Sequence, residues 1–131
     1  MNREILFKGK RISDGKWVIS YNILKRNDWI NEKWIIRYFF QNGESYNQFP
    51  VIDNFIEVDP NTVCEYTGLK DKNNVEIFEG DKIKYINFIG IIKYKNGIFH
   101  AEVKGGFFWF TDMPHSMIDV IGNIHDNESG K

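Results

Sequence analysis

Between Asp59 and Ile83 the chain never runs far without a turn former. Asp59-Pro60-Asn61, Gly68, Asp71-Lys72-Asn73-Asn74 and Glu79-Gly80-Asp81 punctuate short β-prone pieces such as Thr62–Tyr66 and Val75–Phe78. Breakers at this spacing leave no room for a helix of the roughly three turns that packing normally rewards. Short strands joined by tight turns satisfy it. No chemistry requires such a pattern, so it speaks to fold and not to activity.

The apolar residues agree. There are nineteen isoleucines against three leucines and one alanine, with four Trp, six Tyr and eleven Phe. β-Branched and aromatic side chains lose freedom in a helix and pack well on a pleated surface. The chain reads as all-β, mostly antiparallel and rich in hairpins. A chain of 131 residues buries roughly 65% of the surface that its unfolded form exposes, so it needs no covalent staples. Its single cysteine, Cys64, forms no internal disulfide.

Several hairpins follow from the turn chemistry. Glu4–Lys10 and Lys16–Asn22 flank Ser13-Asp14-Gly15, with Trp17, Ile19 and Tyr21 on one face and Val18 and Ser20 on the other. Trp34–Phe40 is a strand ended by Asn42-Gly43, and Gln41–Asn54 is a polar loop before a short strand over Asn54–Val58. Lys82–Lys95 and Ile98–Val103 flank Asn96-Gly97, the strongest short-range hairpin signal. Gly90 interrupts the long run Lys82–Lys95 and marks a bulge or a bend. Gly68 and Gly122 mark bulges or close backbone approaches, and Asp81 is expected to bond to the amides that follow it. A short helical turn is expected at Pro114–Met117 before a last strand, Met117–Ile124. Residues 1–125 are expected as one β domain, with 22–57 a divergent segment and 126–131 a polar tail.

Three blocks carry a resemblance. The first is Arg3-Glu4-Ile5-Leu6-Phe7-Lys8-Gly9-Lys10 with Gly15-Lys16-Trp17-Val18. The second runs from Asp59 to Asp81, above all Tyr66-Thr67-Gly68-Leu69-Lys70-Asp71-Lys72-Asn73 and Ile77-Phe78-Glu79-Gly80-Asp81. The third is Val120-Ile121-Gly122-Asn123-Ile124. In order and spacing they resemble the YopX family of phage and prophage proteins. Asn74 stands where such sequences usually carry Gly, and Asn also reaches the left-handed region. Cys64 and His125 depart from the pattern as well. The resemblance implies a phage or prophage origin, a β-rich fold with a small SH3-like barrel component plus additional strands, and an oligomer. It brings no catalytic residue and no settled activity.

The residues themselves point to binding rather than catalysis. His100, His115 and His125 are fifteen and ten residues apart, and no H-x-x-x-H or C-x-x-C pair exists. Neither phosphate-binding glycine fingerprint is present, so no cofactor or metal is expected. Glu76, Glu79 and Asp71 read as solvated turn charges, and Cys64 as a buried thiol. Seventeen basic and eighteen acidic residues give no long-range field for nucleic acid or anionic lipid. The expectation is a non-enzymatic cytoplasmic protein of a bacterial host cell, with no membrane association.

Two surfaces stand out. Phe107-Phe108-Trp109-Phe110 is a run whose alternate side chains point to opposite faces of a strand, so both faces need cover. Residues 22–57 or a second subunit supply it, and Trp34-Ile35-Ile36 makes the same demand. A homo-oligomer is expected, with at least one of Phe107, Phe108, Trp109 and Phe110 at or beside the subunit contact, and a host protein is the expected further partner. The alternative is a nucleic-acid-binding module. It would use Lys82, Lys84, Lys93 and Lys95 with Tyr85 and Tyr94 beside them, and Lys70 and Lys72 on the preceding loop. Alternating lysine on a strand also keeps a solvated face from aggregating.

Overall fold

The computed structural model describes residues 6–41 and 55–126. The start of the first family block and of its hairpin (Arg3-Glu4-Ile5), the Asn42-Gly43 turn, most of the Gln41–Asn54 loop and the tail beyond Asp126 lie outside the described residues. Among the described residues every regular element is a strand or a one-turn 3-10 helix, and the strand pairings within each compact unit are antiparallel. The described residues fall into two compact units, divided between Val63 and Cys64.

In the first unit β1 (Phe7–Lys10) pairs with β2 (Trp17–Ser20). The turn between them holds Gly15 at a φ of 70°, and the Asp14 carboxylate takes the Arg11 guanidinium and the Lys16 amide. A three-stranded sheet follows, β3 (Ile23–Ile30), β4 (Lys33–Gln41) and β5 (Phe55–Val58), in that order. Phe40 and Val58 are buried, and a Cβ on Gly9 would lie 3.2 Å from the Phe40 ring, so β1 crosses this core at close range. Lys10 N–H donates to Thr62 Oγ1 at 2.9 Å and Asp59 N–H to Lys10 O at 2.8 Å. The first family block and the start of the second are thus joined backbone to backbone.

Strand β3 is absent from the sequence reading. Its link to β4 is a two-residue turn, Asn31-Glu32, with φ of 50° and 63°. Both residues sit in the left-handed region, as a type I′ hairpin demands. Asn accepts this; Glu hides it, because a residue with a long side chain seldom signals positive φ. Glu32→Gly restores the Asn-Gly pair that the geometry favours. It is expected to stabilise by about 1 kcal/mol, a rise in Tm of roughly 3–5 °C by thermal denaturation. An unchanged or lower Tm would show that this turn carries no strain.

In the second unit β6 (Cys64–Lys70) pairs with β7 (Glu76–Phe78). A five-stranded sheet contains β8 (Asp81–Tyr85), β9 (Phe88–Lys95), β10 (Ile98–Val103), β11 (Gly106–Trp109) and β12 (Ile118–Asn123), in the order β11-β10-β9-β8-β12. Its inner face carries the core: Ile83, Tyr85, Ile92, Phe99, Ala101 and Ile118, with Phe110 and Met113 packed in from the segment after β11. The Asn96-Gly97 turn has both residues at positive φ, 55° and 81°. Asn74 takes a φ of 67°, and the expected helical turn is present at His115–Met117. Register shifts fall between Tyr66 and Lys70, around Gly68, and between Val120 and Gly122.

Two expectations are corrected. The run Lys82–Lys95 is two strands, turned at Ile86-Asn87 with Tyr85 opposite Phe88. Gly90 is therefore neither bulge nor bend. It sits mid-strand because a Cβ there would approach Val103 Cγ1 to 3.0 Å and Glu102 O to 3.2 Å. The small SH3-like barrel component is not confirmed, because no sheet of the described residues is closed. A barrel needs its end strands paired, and here β11 and β12 end the sheet apart, with β12 flanked by the turn that follows β6.

Candidate functional site

Alternation along a strand decides which side chains leave the core. In β10, Phe99 and Ala101 point inward, so Ile98, His100 and Glu102 point out. The register carries this to the neighbouring strands: His100 lies opposite Trp109 and Lys93, Glu102 opposite Phe107 and Ile91, and Ile98 opposite Lys95. Lys82 lies opposite Ile91 and Lys84 opposite Ile89. One outer face therefore holds Phe107 and Trp109 together with Lys82, Lys84, Lys93 and Lys95.

The aromatic run divides as the alternation requires. Phe110 is buried, its ring 6.5 Å from Phe99. Phe108 turns inward and meets Tyr85 and Phe88 edge to face at 5.2 and 5.1 Å. Phe107 and Trp109 remain 53% and 45% exposed, and their rings meet edge to face at 4.9 Å, with His100 against Phe107 at 5.8 Å. A shallow groove of about 620 Å³ runs beside them, lined by Lys95, Ile98, His100, Glu102, Phe107 and Trp109 among others.

All four lysines are exposed, and Lys93 Nζ lies 3.4 Å from Glu102 Oε2, which offsets part of the positive charge. Tyr85 and Tyr94 do not share their face. Each is adjacent to a lysine in the chain and so points the other way: Tyr85 is buried, and Tyr94 packs on Phe99 at 4.7 Å. The aromatics beside the lysines are Phe107 and Trp109 instead. Of the loop lysines, Lys72 Nζ lies 3.8 Å from Asp119 Oδ2, and Lys70 is exposed.

A second exposed surface lies on the β3–β4 hairpin. Trp29 and Trp34 stand directly opposite each other beside the Asn31-Glu32 turn, ring centroids 5.2 Å apart, and are 59% and 70% exposed. Ile36, on the same face, is also exposed. On the opposite face Arg37 bridges Asp28 at 3.0 Å and Glu57 at 2.8 Å, and Arg26 adds a second bond to Asp28. The Arg26 and Arg37 hydrogen bonds hold the Asp28 carboxyl below the usual range. The Trp29–Trp34 pair is visible in the sequence once a two-residue turn is placed at Asn31-Glu32.

The polar residues of the family blocks are engaged elsewhere. Asp71 is buried and not a solvated turn charge. Its Oδ1 accepts the amides of Asn73 and Val75 at 2.8 and 2.9 Å, and its Oδ2 accepts that of Val120 at 2.9 Å. Burial works to raise its pKa, and these three backbone bonds together outweigh it and hold the carboxyl below the ordinary value. Asp81 Oδ2 accepts Phe78 N–H, which precedes it in the chain, at 2.8 Å, and its Oδ1 accepts Asn123 Nδ2–H at 2.9 Å. Asn123 Oδ1 accepts His125 N–H, and Asn123 Nδ2 reaches the buried Cys64 Sγ at 3.9 Å. Glu79 is pushed up by burial and by the nearby Glu65, against a smaller opposing pull from His125. Among the described residues no group of three His, Cys, Asp or Glu side chains is placed to hold a metal ion, and no helix is long and apolar enough to cross a membrane.

No curated protein matches the chain. The family model described as YopX protein matches residues 6–129. That span holds most of the first block and the whole of the other two, in which Asp71, Asp81 and Asn123 bind the turns to β12. On this match, over nearly its whole length, the chain belongs to the YopX family.

Proposed function

We propose that this YopX-family chain is a phage- or prophage-encoded accessory protein of the host cytoplasm that self-assembles and acts by binding protein, a host protein included, without catalysing a reaction. The observation that carries the reading is the Phe107–Trp109 pair, side by side and about half exposed on the outer face of an end strand. Paired exposed aromatics are the residues most enriched at protein contacts, and full burial of each contributes about 1.5–3 kcal/mol. The non-catalytic part rests on Asp71, Asp81 and Asn123, whose side chains are engaged with backbone amides and with each other. Phage origin rests on the family.

A second reading, nucleic-acid binding, is favoured by one observation: Lys82, Lys84, Lys93 and Lys95 share the face of Phe107 and Trp109. Lysines would follow a phosphate backbone while the rings stack on bases. Two measurements separate the readings. Light scattering at micromolar concentration is expected to give a multiple of 15.5 kDa. A labelled single-stranded oligonucleotide is expected to show little binding at physiological salt. A clean monomer removes self-assembly. Strong binding whose affinity falls steeply with salt, and is lost when the four lysines become Ala, makes nucleic acid the function.

A further inference from the structure

We propose that β11 is itself the subunit contact: two copies pair their β11 strands edge to edge, antiparallel, across a two-fold axis, and continue one five-stranded sheet into the other. This rests on the self-assembly reading above and states how that assembly is made.

The argument begins with the backbone. The turns at Asn96-Gly97 and Lys104-Gly105 each leave a two-residue link, closed by Lys95 with Ile98 and by Val103 with Gly106. In antiparallel pairing, hydrogen-bonded and non-bonded pairs alternate. Counting from the first closing pair, Ile98, His100 and Glu102 bond to β9, which leaves Phe99, Ala101 and Val103 for β11. Counting from the second closing pair gives the same result. On β11 the partners are then Gly106 and Phe108, and the Phe107 N–H and C=O point away from β10. No described strand lies on that side.

The two ends of the sheet differ. At the β12 end, Lys72 N–H donates to Ile118 O at 3.0 Å and the Asp71 carboxylate takes Val120 N–H, so a turn covers that edge. β11 has no such cover among the described residues. It also lacks the usual protection of an edge strand, because Gly106-Phe107-Phe108-Trp109 contains neither a charge nor a proline. A Cβ added at Gly105 or Gly106 would meet nothing within 4 Å, so no neighbouring group crowds the start of the strand.

A second copy fits this edge in particular. A strand without charge meets its own image without repulsion. Two-fold pairing sets Phe107 and Trp109 of one copy beside Phe107 and Trp109 of the other on the same face, and cross-strand aromatic pairs are among the stabilising ones. The lysines stay clear of the seam: Lys93 and Lys95 lie on β9, two strands away, and Lys82 and Lys84 on β8.

Three variants and one exchange measurement test this. Phe107→Pro removes the outward N–H while leaving the β10–β11 bonds intact. Phe107→Lys keeps the N–H and puts a charge at the seam. Trp34→Lys alters the other exposed aromatic surface. By light scattering, wild type and Trp34→Lys are expected near twice 15.5 kDa, and both Phe107 variants near 15.5 kDa. Hydrogen exchange at the Phe107 amide is expected to slow at least tenfold as wild type is concentrated through its dissociation constant. A wild type that stays monomeric overturns both this inference and the self-assembly reading. An oligomer that survives Phe107→Lys, or whose Phe107 amide exchanges at a rate independent of concentration, leaves self-assembly standing and overturns the edge pairing. If Phe107→Pro loses its native circular dichroism, Phe107→Lys and the exchange measurement decide.

Discussion

Asp71→Ala is expected to destabilise the second unit by about 3–4 kcal/mol. The carboxylate is buried and accepts three backbone amides, two in its own turn and one on β12. Alanine leaves those donors without their partner, and bonds to a charged acceptor contribute more than neutral ones. Asp71→Asn should fall between wild type and alanine, since one amide oxygen can still accept while the NH₂ faces a donor. The pH dependence has a definite sign. The folded pKa lies below the ordinary carboxylate value, so this stabilisation is present above the unfolded pKa of about 4 and is lost as pH falls through the folded value. Urea denaturation of wild type and Asp71→Ala at pH 7, 4 and 2 checks both parts. A gap that stays constant across that range would show that the charge contributes nothing.

Gly90→Val is expected to cost about 3 kcal/mol, with Gly90→Ala smaller. The first added carbon already meets Val103 Cγ1 at 3.0 Å and the Glu102 carbonyl at 3.2 Å. The methyl can rotate away, but the carbonyl belongs to the β9–β10 ladder and moves only if the register strains. Valine adds two further carbons at a site that faces the core. Thermal denaturation of the two variants gives the comparison. If valine is tolerated as well as alanine, the sheet is looser at this crossing than the distances imply.

Turn chemistry made most of the hairpins legible. Asp14-Gly15, Asn73-Asn74 and Asn96-Gly97 turn where composition places them, because few residues enter the left-handed region without strain. The same reasoning fails where a strained residue occupies such a site. Glu32 at a φ of 63° and Ile86 at 56° give no warning, and each conceals a hairpin. Without the first turn β3 has no signal; without the second β8 and β9 read as one strand and Gly90 reads as a bulge. Asp71 conceals its burial for another reason. A carboxylate in an Asp-Lys-Asn-Asn turn looks solvated until β12, which begins forty-seven residues later in the chain, arrives beside it. The candidate site was half legible. Alternation alone divides Phe107 and Trp109 from Phe108 and Phe110, and separates the lysines from Tyr85 and Tyr94. That the lysines and the exposed rings share one face required the register of four strands.

The bonds that tie the Asp59–Asp81 block to β12 also set an order of events. Val120 reaches Asp71, Asn123 reaches Asp81, and the Ile124 amide reaches Gly80 O at 2.9 Å, each across more than forty residues of sequence. Loops of that length close slowly and are rewarded only at the end. During synthesis, therefore, the hairpins of β8 to β11 can form as they emerge from the ribosome. The turns at Asp71 and Asp81 must wait, half satisfied, until the strand that locks them has been made. Until that moment Ile83 and Tyr85 lack their β12 neighbour, and the nascent chain is at its most exposed to chaperones and to its own siblings on the same message.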